Sequence, residues 1–264
     1  MYNFTYHRAS SVSDAAKLLG QDAESKILAG GQTLLPTLKQ RLAQPSHVVD
    51  IGGIGELQGI KVSADKVVIG AGTRHAAVAM SAEVARAIPA LAKLAGGIGD
   101  PQVRNMGTIG GSLANNDPAA DYPAAVLGLG ATVHTNKRAI AADDFFKGMF
   151  ETALDDQEII TSVEFPVPQK AGYMKFPNPA SRYAMVGVMV AQTKAGVRVA
   201  VTGAGPSVFR WQDAEKALAS KFAAAALDGL AAKADGLNSD MHGSAEYRAH
   251  LIGVMARRAV AEAG

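Results

Sequence analysis

Two glycine-rich stretches carry the residue types needed to hold an anionic ligand. The first, Asp100 to Asp121 (DPQVRNMGTIGGSLANNDPAAD), combines Gly107, Gly110 and Gly111 with the small polar residues Thr108, Ser112, Asn115, Asn116, Asp117 and Asp121. Glycine serves where backbone must take positive φ or come against another group, and successive free N–H groups form a concavity suited to phosphate oxygens. The composition is that of a ligand-binding loop with a pyrophosphate or similar anion as the expected guest, although Asn, Asp, Gly and Pro also build plain surface turns. The second stretch, Ala29-Gly30-Gly31-Gln32-Thr33-Leu34-Leu35-Pro36, follows the short apolar run Ile27-Leu28 and precedes a helix expected over Leu34 to Leu42. Strand, glycine pair and helix start bring free amides and the positive end of a helix dipole together, which is again an anion site.

Composition narrows the chemistry. The chain has 264 residues, 48% of them hydrophobic, enough for a sizeable core and for one or two domains of about 100–200 residues. The net charge is +2 with Lys and Arg dispersed, so there is no basic block of the kind a nucleic-acid backbone requires. No run approaches the roughly 18 apolar residues of a membrane span, and the start, MYNFTYHRAS, lacks the pattern of a secretory signal, so the expected location is the cytoplasm. The absence of cysteine excludes disulfides, a thiol nucleophile and an iron–sulfur cluster held by this chain alone. The six histidines show no spacing that would aim two imidazoles at one metal, and no metal site is expected.

The remaining pattern supplies the elements that hold the two stretches. Ser11 or Ser13 caps a short helix that Gly20 ends, and Ile27-Leu28 and His47 to Ile51 read as strands. Gly59 to Val62 and Lys66 to Ile69 form a hairpin through Ser63-Ala64-Asp65. Gly70-Ala71-Gly72-Thr73-Arg74-His75 imitates a dinucleotide fingerprint, but His75 stands where a third glycine is needed. Ala76 to Leu94 reads as helix broken around Pro89, Ala124 to Leu129 as a compact apolar segment, and Ala131 to Thr135 as β-like. Asp143 to Phe146 starts a short helix or turn, and Glu158 to Phe165 alternates as a strand up to Pro166. A boundary near Pro166 to Gly172 divides residues 1–168 from a smaller unit, 169–264. That unit holds β-rich segments at Tyr173 to Phe176, Met185 to Gln192 and Val197 to Val201, then a tight turn at Gly203 to Pro206. Alanine-rich helices are expected at Gln212 to Leu230 and Ser244 to Glu262, the second with Glu246 near its positive end. The fold class is α+β.

The sequence resembles a family. Ala29 to Pro36, Asp100-Pro101-Gln102-Val103-Arg104-Asn105, Thr108-Ile109-Gly110-Gly111-Ser112 followed by Asn116-Asp117-Pro118 and Asp121, and Asp240 to Arg248 (DMHGSAEYR) are similar to the FAD-binding medium subunits of bacterial molybdenum hydroxylases. The likeness is to the carbon monoxide dehydrogenase medium-subunit group, related to the flavin domain of xanthine dehydrogenase. It runs nearly end to end. It implies a two-part FAD-binding domain of the p-cresol methylhydroxylase and vanillyl-alcohol oxidase type, followed by a small α+β domain.

By position, the resemblance implies that Ile27, Leu28, Ala29, Gly30, Gly31, Gln32 and Thr33 wrap the FAD pyrophosphate, while Thr108, Gly110, Gly111 and Ser112 contribute opposing amides. It places Asn115, Asp117 and Asp121 around the ribityl, phosphate or adenosine portions, Ile160 beside the flavin or adenine, and Lys175 near the isoalloxazine ring, where a positive charge favours reduced flavin. Read from the residues alone, Lys175 is an ordinary solvent-facing strand lysine, Asp117 and Asp121 are turn residues or caps, Arg104 is a structural anchor and Tyr183 a core tyrosine. His75 and His134 have no identified partner. Gln32-Thr33 departs from the family's AGGHS, and Ser112 stands where related proteins carry Asp or Asn; each swap keeps a hydrogen-bonding group. The implied activity is electron transfer within a heterohexamer. A large subunit holds molybdenum–pterin, and a small subunit holds two [2Fe-2S] clusters that feed this flavin. Reduced flavin then serves an external acceptor, and the complex has a place in the cytoplasm or against the inner face of the membrane. The rival expectation is a stand-alone FAD-dependent oxidase or reductase.

Overall fold

The computed structural model describes residues 1–264. The first lobe runs β1 (Thr5–Arg8), α1 (Val12–Leu19), β2 (Lys26–Leu28), α2 (Leu34–Lys39) and β3 (His47–Asp50), with the strands parallel in the order β1-β3-β2. Ser11 caps α1 by accepting from the Asp14 amide, as its position before an amphipathic run requires.

The second lobe contains β4 (Ile60–Val62), β5 (Lys66–Gly70), and the helices α3 (His75–Met80), α4 (Ala82–Ala87), α5 (Pro89–Gly96), α6 (Pro101–Met106), α7 (Ile109–Asn115) and α8 (Tyr122–Leu129). It continues with β6 (Thr132–Thr135), β7 (Ala139–Ala141), α9 (Ala142–Phe145), the hairpin β8 (Phe146–Gly148) and β9 (Glu151–Thr152), and β10 (Ile160–Pro166). Its five-stranded antiparallel sheet has the order β4-β5-β10-β6-β7. The chain after Ala76 breaks twice, not once: besides Pro89, Ser81 ends α3 and caps α4 by accepting from the Val84 amide. The stretch expected as a loop at Asp100 to Asp121 is largely helical, because Asp100 and Thr108 are both N-caps, accepting from Val103 and Gly111.

The last lobe is an antiparallel sheet, β11 (Lys170–Pro177), β12 (Ala184–Thr193), β13 (Gly196–Thr202) and β14 (Phe209–Arg210), with α10 (Gln212–Ser220) and α11 (Ala245–Glu262). The helix expected over Gln212 to Leu230 stops at Ser220 and is followed by a short 3₁₀ turn at Ala224–Leu227; alanine content alone did not carry it further. Val186, Val188 and Val190 on β12 pack with α10 and α11, while the alternate residues Met189 and Ala191 join the core built around α8. All eight residues of α8 are buried, which explains why it is apolar on every side. Burying Val126, Leu127 and Leu129 stabilises the fold by about 1.5–3 kcal/mol each. The apolar core therefore does not divide at residue 168: Tyr173, Met189, Ala191, Ala200 and Val208 share one cluster with the five-stranded sheet.

The C-terminal helix is anchored at its start by Ser244, whose hydroxyl accepts from the Tyr247 amide at 3.2 Å. Replacing Ser244 by Ala is expected to lower unfolding stability by about 1 kcal/mol, read from denaturant titration with the m-value unchanged. A variant as stable as the parent would show that α11 is held by packing alone.

Candidate functional site

Between the lobes lies a cavity of about 600 Å³, within the range of small-molecule and cofactor sites. One wall is the turn after β2. Gly31 there has φ +70°, and the amides from Ala29 to Thr33 donate to no group of the chain. These unpaired donors lie on the cavity, and they form the concavity that phosphate oxygens favour. Gly30 is where this turn meets the opposite segment: a Cβ on it would lie 2.2 Å from Met106 O and 2.7 Å from Gly107 Cα.

The opposite wall is the start of α7. The expectation of free opposing amides here is corrected by the hydrogen bonding. Ile109 N donates to Thr73 O, Gly110 N to Ala71 O at 2.8 Å, Gly111 N to Thr108 Oγ1, and Ser112 N to Thr108 O. The glycines serve close packing instead; a Cβ on Gly110 would come within 2.6 Å of the Ala71 side chain. Only the first glycine motif offers a row of free donors.

Further along, Asn116 turns left-handed (φ +42°) and donates from Nδ2 to Gly148 O and Glu151 O, so the β8–β9 hairpin carries Phe150 to the cavity edge. Asp117 accepts from the Ala119 amide in a local turn while also lining the cavity. The far wall, Leu154 to Ile160, is stiffened by Glu158, whose side chain is fully buried. Its carboxylate accepts from Arg138 Nε and Nη2 (both 3.0 Å), Thr135 Oγ1 (2.7 Å) and Asp155 N (2.8 Å). The Arg138 guanidinium holds that carboxyl down at about 2, so it stays ionised as a fixed strut.

Asp121 and Lys175 form a buried hub. Asp121 accepts from Tyr173 OH at 2.6 Å and from Lys175 Nζ at 2.9 Å, and Lys175 also donates to Gly97 O and Arg182 O. Burial pushes the Asp121 carboxyl up, against the pull of the Lys175 charge, and burial likewise raises Tyr173, which remains a donor. Lys175 is thus neither solvent-facing nor free: its side chain is 10% exposed, its three donors are committed and its charge is matched by a carboxylate. It does not line the cavity, and nor does Leu28. What Lys175 positions is the loop 178–183, which brings Ser181, Arg182 and Tyr183 to the cavity. Tyr183 is accordingly half exposed, not a core residue.

The cavity therefore gathers Ile27, Ala29, Gly30, Gly31, Gln32, Thr33, Thr108, Gly110, Gly111, Ser112, Asn115, Asp117, Asp121 and Ile160. Arg104 is an anchor, donating to Ile98 O and Gly99 O instead of a carboxylate. Sequence reading missed Phe150, Leu154 and Glu158 on the walls, which sit in no motif, and gave no role to His75, the last residue of the GAGTRH stretch.

Residues 2–168 match the family described as the FAD binding domain in molybdopterin dehydrogenase, and residues 171–263 match the CO dehydrogenase flavoprotein C-terminal domain. The chain belongs to this flavoprotein family of molybdenum hydroxylase medium subunits. The nicotine 6-hydroxylase medium subunit of Paenarthrobacter nicotinovorans is 40% identical over 98% of this chain and 96% of its own length. The carbon monoxide dehydrogenase medium chain of Afipia carboxidovorans is 38% identical over 99% and 96%. Among solved structures, reconstituted CO dehydrogenase from Oligotropha carboxidovorans superimposes with a TM-score of 0.90 at 36% identity, covering 99% of this chain and 97% of that one. The chain is thus an oxidoreductase component. The glycine turn lies within the segment 2–168, and no helix is long and apolar enough to cross a membrane.

Proposed function

We propose that the cavity binds FAD and that the chain is the electron-transfer subunit of a molybdenum hydroxylase complex. The observation that carries this is the row of unpaired amides from Ala29 to Thr33 on a cavity of cofactor size. When bound, FAD supplies the carrier between iron–sulfur clusters of a small partner and an external acceptor, the substrate being oxidised at molybdenum–pterin in a large partner. The residues of this chain bind and orient. Ala29 to Thr33 hold the pyrophosphate; Thr108 to Ser112 close the opposite wall through packing; Asn115, Asp117 and Asp121 face the polar middle; Ile160, Leu154 and Phe150 shield an aromatic ring from water. Leu28 and Lys175 act from behind the wall, Leu28 through the β2–β3 pairing and Lys175 through the loop it ties down. The domain division at 168 and 169, the p-cresol methylhydroxylase-type lineage of the flavin lobe and a heterohexamer of two copies of each subunit belong to the same proposal. Sequence relatives named as medium chains of dehydrogenases support it.

The test is affinity capture of this chain from its native cells, with a flavin absorption spectrum, metal analysis and mass identification of partners. Flavin, molybdenum and iron arriving with one large and one cysteine-rich small protein is the expected result. Yellow protein emerging alone and turning over a small substrate without metal would replace this reading with that of a stand-alone flavoenzyme.

A further inference from the structure

His75 opens α3 on the cavity wall and is 5% exposed. Its main-chain amide donates to Gly107 O, which fixes the residue against the turn between α6 and α7. Neither ring nitrogen has a partner in the chain, but their surroundings differ. Nδ1 is sealed away and unpaired, whereas Nε2 is not sealed and lies beside Gly107, where a Cβ would come within 2.6 Å of it. A buried N–H without an acceptor is rarer and costlier than an unfilled lone pair. The proton is therefore assigned to Nε2, the nitrogen that is not sealed. Burial, reinforced by the Arg104 charge, lowers the ring to about 4, so it is neutral at physiological pH. An uncharged donor thus waits on the cavity wall with nothing in the protein to receive it.

Its place narrows the acceptor. Gly107 lies between His75 Nε2 and Gly30, whose missing side chain lets the two backbones meet, so the donor stands next to the glycine turn. We propose that His75 is a cofactor-binding residue whose Nε2–H donates a hydrogen bond to an oxygen of the FAD pyrophosphate or the adjoining ribityl segment, an inference that rests on the FAD reading above. The GAGTRH stretch then contributes to the site through its histidine, not through a glycine fingerprint.

The test is FAD titration, by fluorescence, of the flavin-stripped complex containing the full chain as wild type, His75→Gln, His75→Asn and His75→Phe. Unfolding midpoints of each flavin-free preparation are measured alongside. A Gln amide reaches the Nε2 position and an Asn amide only the Nδ1 position. His75→Gln is expected to bind within about threefold of wild type, and His75→Asn and His75→Phe about tenfold more weakly, the loss of one net hydrogen bond. Flavin-free midpoints should stay close together across the Gln and Asn variants, since the His75 ring makes no hydrogen bond within the protein and loses only its packing on Tyr122. Wild-type affinity in the Asn and Phe variants, equal losses in Gln and Asn, or losses that follow falling midpoints would each overturn the proposal. Wild type that takes up no FAD at all would sink the FAD reading itself, whereas wild type that binds FAD beside indifferent variants sinks this inference alone.

Discussion

Replacing Lys175 by Met is expected to destabilise the fold by about 3–5 kcal/mol at neutral pH, because it leaves a carboxylate in the interior without its cation. Asp121 is 4% exposed and sits at the start of α8, the helix buried on every side between two sheets. Tyr173 OH would remain as its one strong donor, and Gly97 O and Arg182 O would lose theirs. The penalty carries a sign in pH. Burial already raises the Asp121 carboxyl in the folded protein, and Lys175 is the largest force opposing that rise. Without it the folded state holds the proton more tightly than the unfolded chain does. Stability is then fully present below the ordinary carboxylate range and is lost as pH climbs through the raised value. Urea unfolding of the Lys175→Met variant should therefore show a smaller deficit at pH 5 than at pH 7.5. The double variant Asp121→Leu with Lys175→Met should recover much of the loss, since an apolar pair replaces an ion pair at little net cost. A deficit that ignores pH, or no recovery in the double variant, would mean that Lys175 contributes packing and not charge compensation.

That hub also marks the limit of what the sequence reveals. Local elements were legible where few residues decide them: of the two serines that could cap α1 it is Ser11 that does, the helix expected over Ser244 to Glu262 occurs as α11, and the Ser63-Ala64-Asp65 hairpin joins β4 and β5. The glycine turn at Gly30-Gly31 was legible for the same reason, since a strand and a helix start flank it. The second glycine motif was misread in mechanism. Thr108 and Asp100 supply their own cap bonds, turning an expected loop into two helices whose amides are already used. The residues alone make Lys175 a solvent-facing lysine, and the structure differs because alternation on β11 shows only which face it takes. Its partners Asp121 and Gly97 are distant in sequence and are brought to it by α8 lying across β12 and β13, while Arg182 comes from the loop that follows β11. His75, Phe150 and Glu158 reach the cavity through similarly long-range placement, which no local pattern encodes. Pro166 suggests a boundary near residue 168, whereas the core shared across that point is not legible, because it depends on α8 burying its whole surface.

Replacing Gly30 by Ala is expected to weaken FAD binding by about a hundredfold, the loss of two net backbone hydrogen bonds. Gly30 does not have positive φ, so the added methyl group is opposed by space and not by its own backbone conformation. It would stand 2.2 Å from Met106 O, and ordinary contact begins near 3.4 Å, so one of the two backbones must move by about 1 Å. The Met106–Gly107 side has little room to yield. Gly107 O accepts from His75 N, Ile109 N donates to Thr73 O, Gly110 N donates to Ala71 O, and Arg104 pins Ile98 O and Gly99 O. The turn from Ala29 to Thr33 is held by far less: its amides are unpaired, and β2 is an edge strand of three residues. The turn is therefore the side that gives way, and it carries the pyrophosphate donors with it. Overpacking costs about 1–3 kcal/mol of stability as well, so the variant should fold but bind flavin poorly. Gly55→Ala is the matched control, because its methyl group would meet nothing within 4 Å and it lies away from the cavity. Equal FAD affinity in the Gly30 and Gly55 variants, with both folded, would show that the amides from Ala29 to Thr33 are not what holds the cofactor. A loss confined to Gly30 would place the pyrophosphate against this turn.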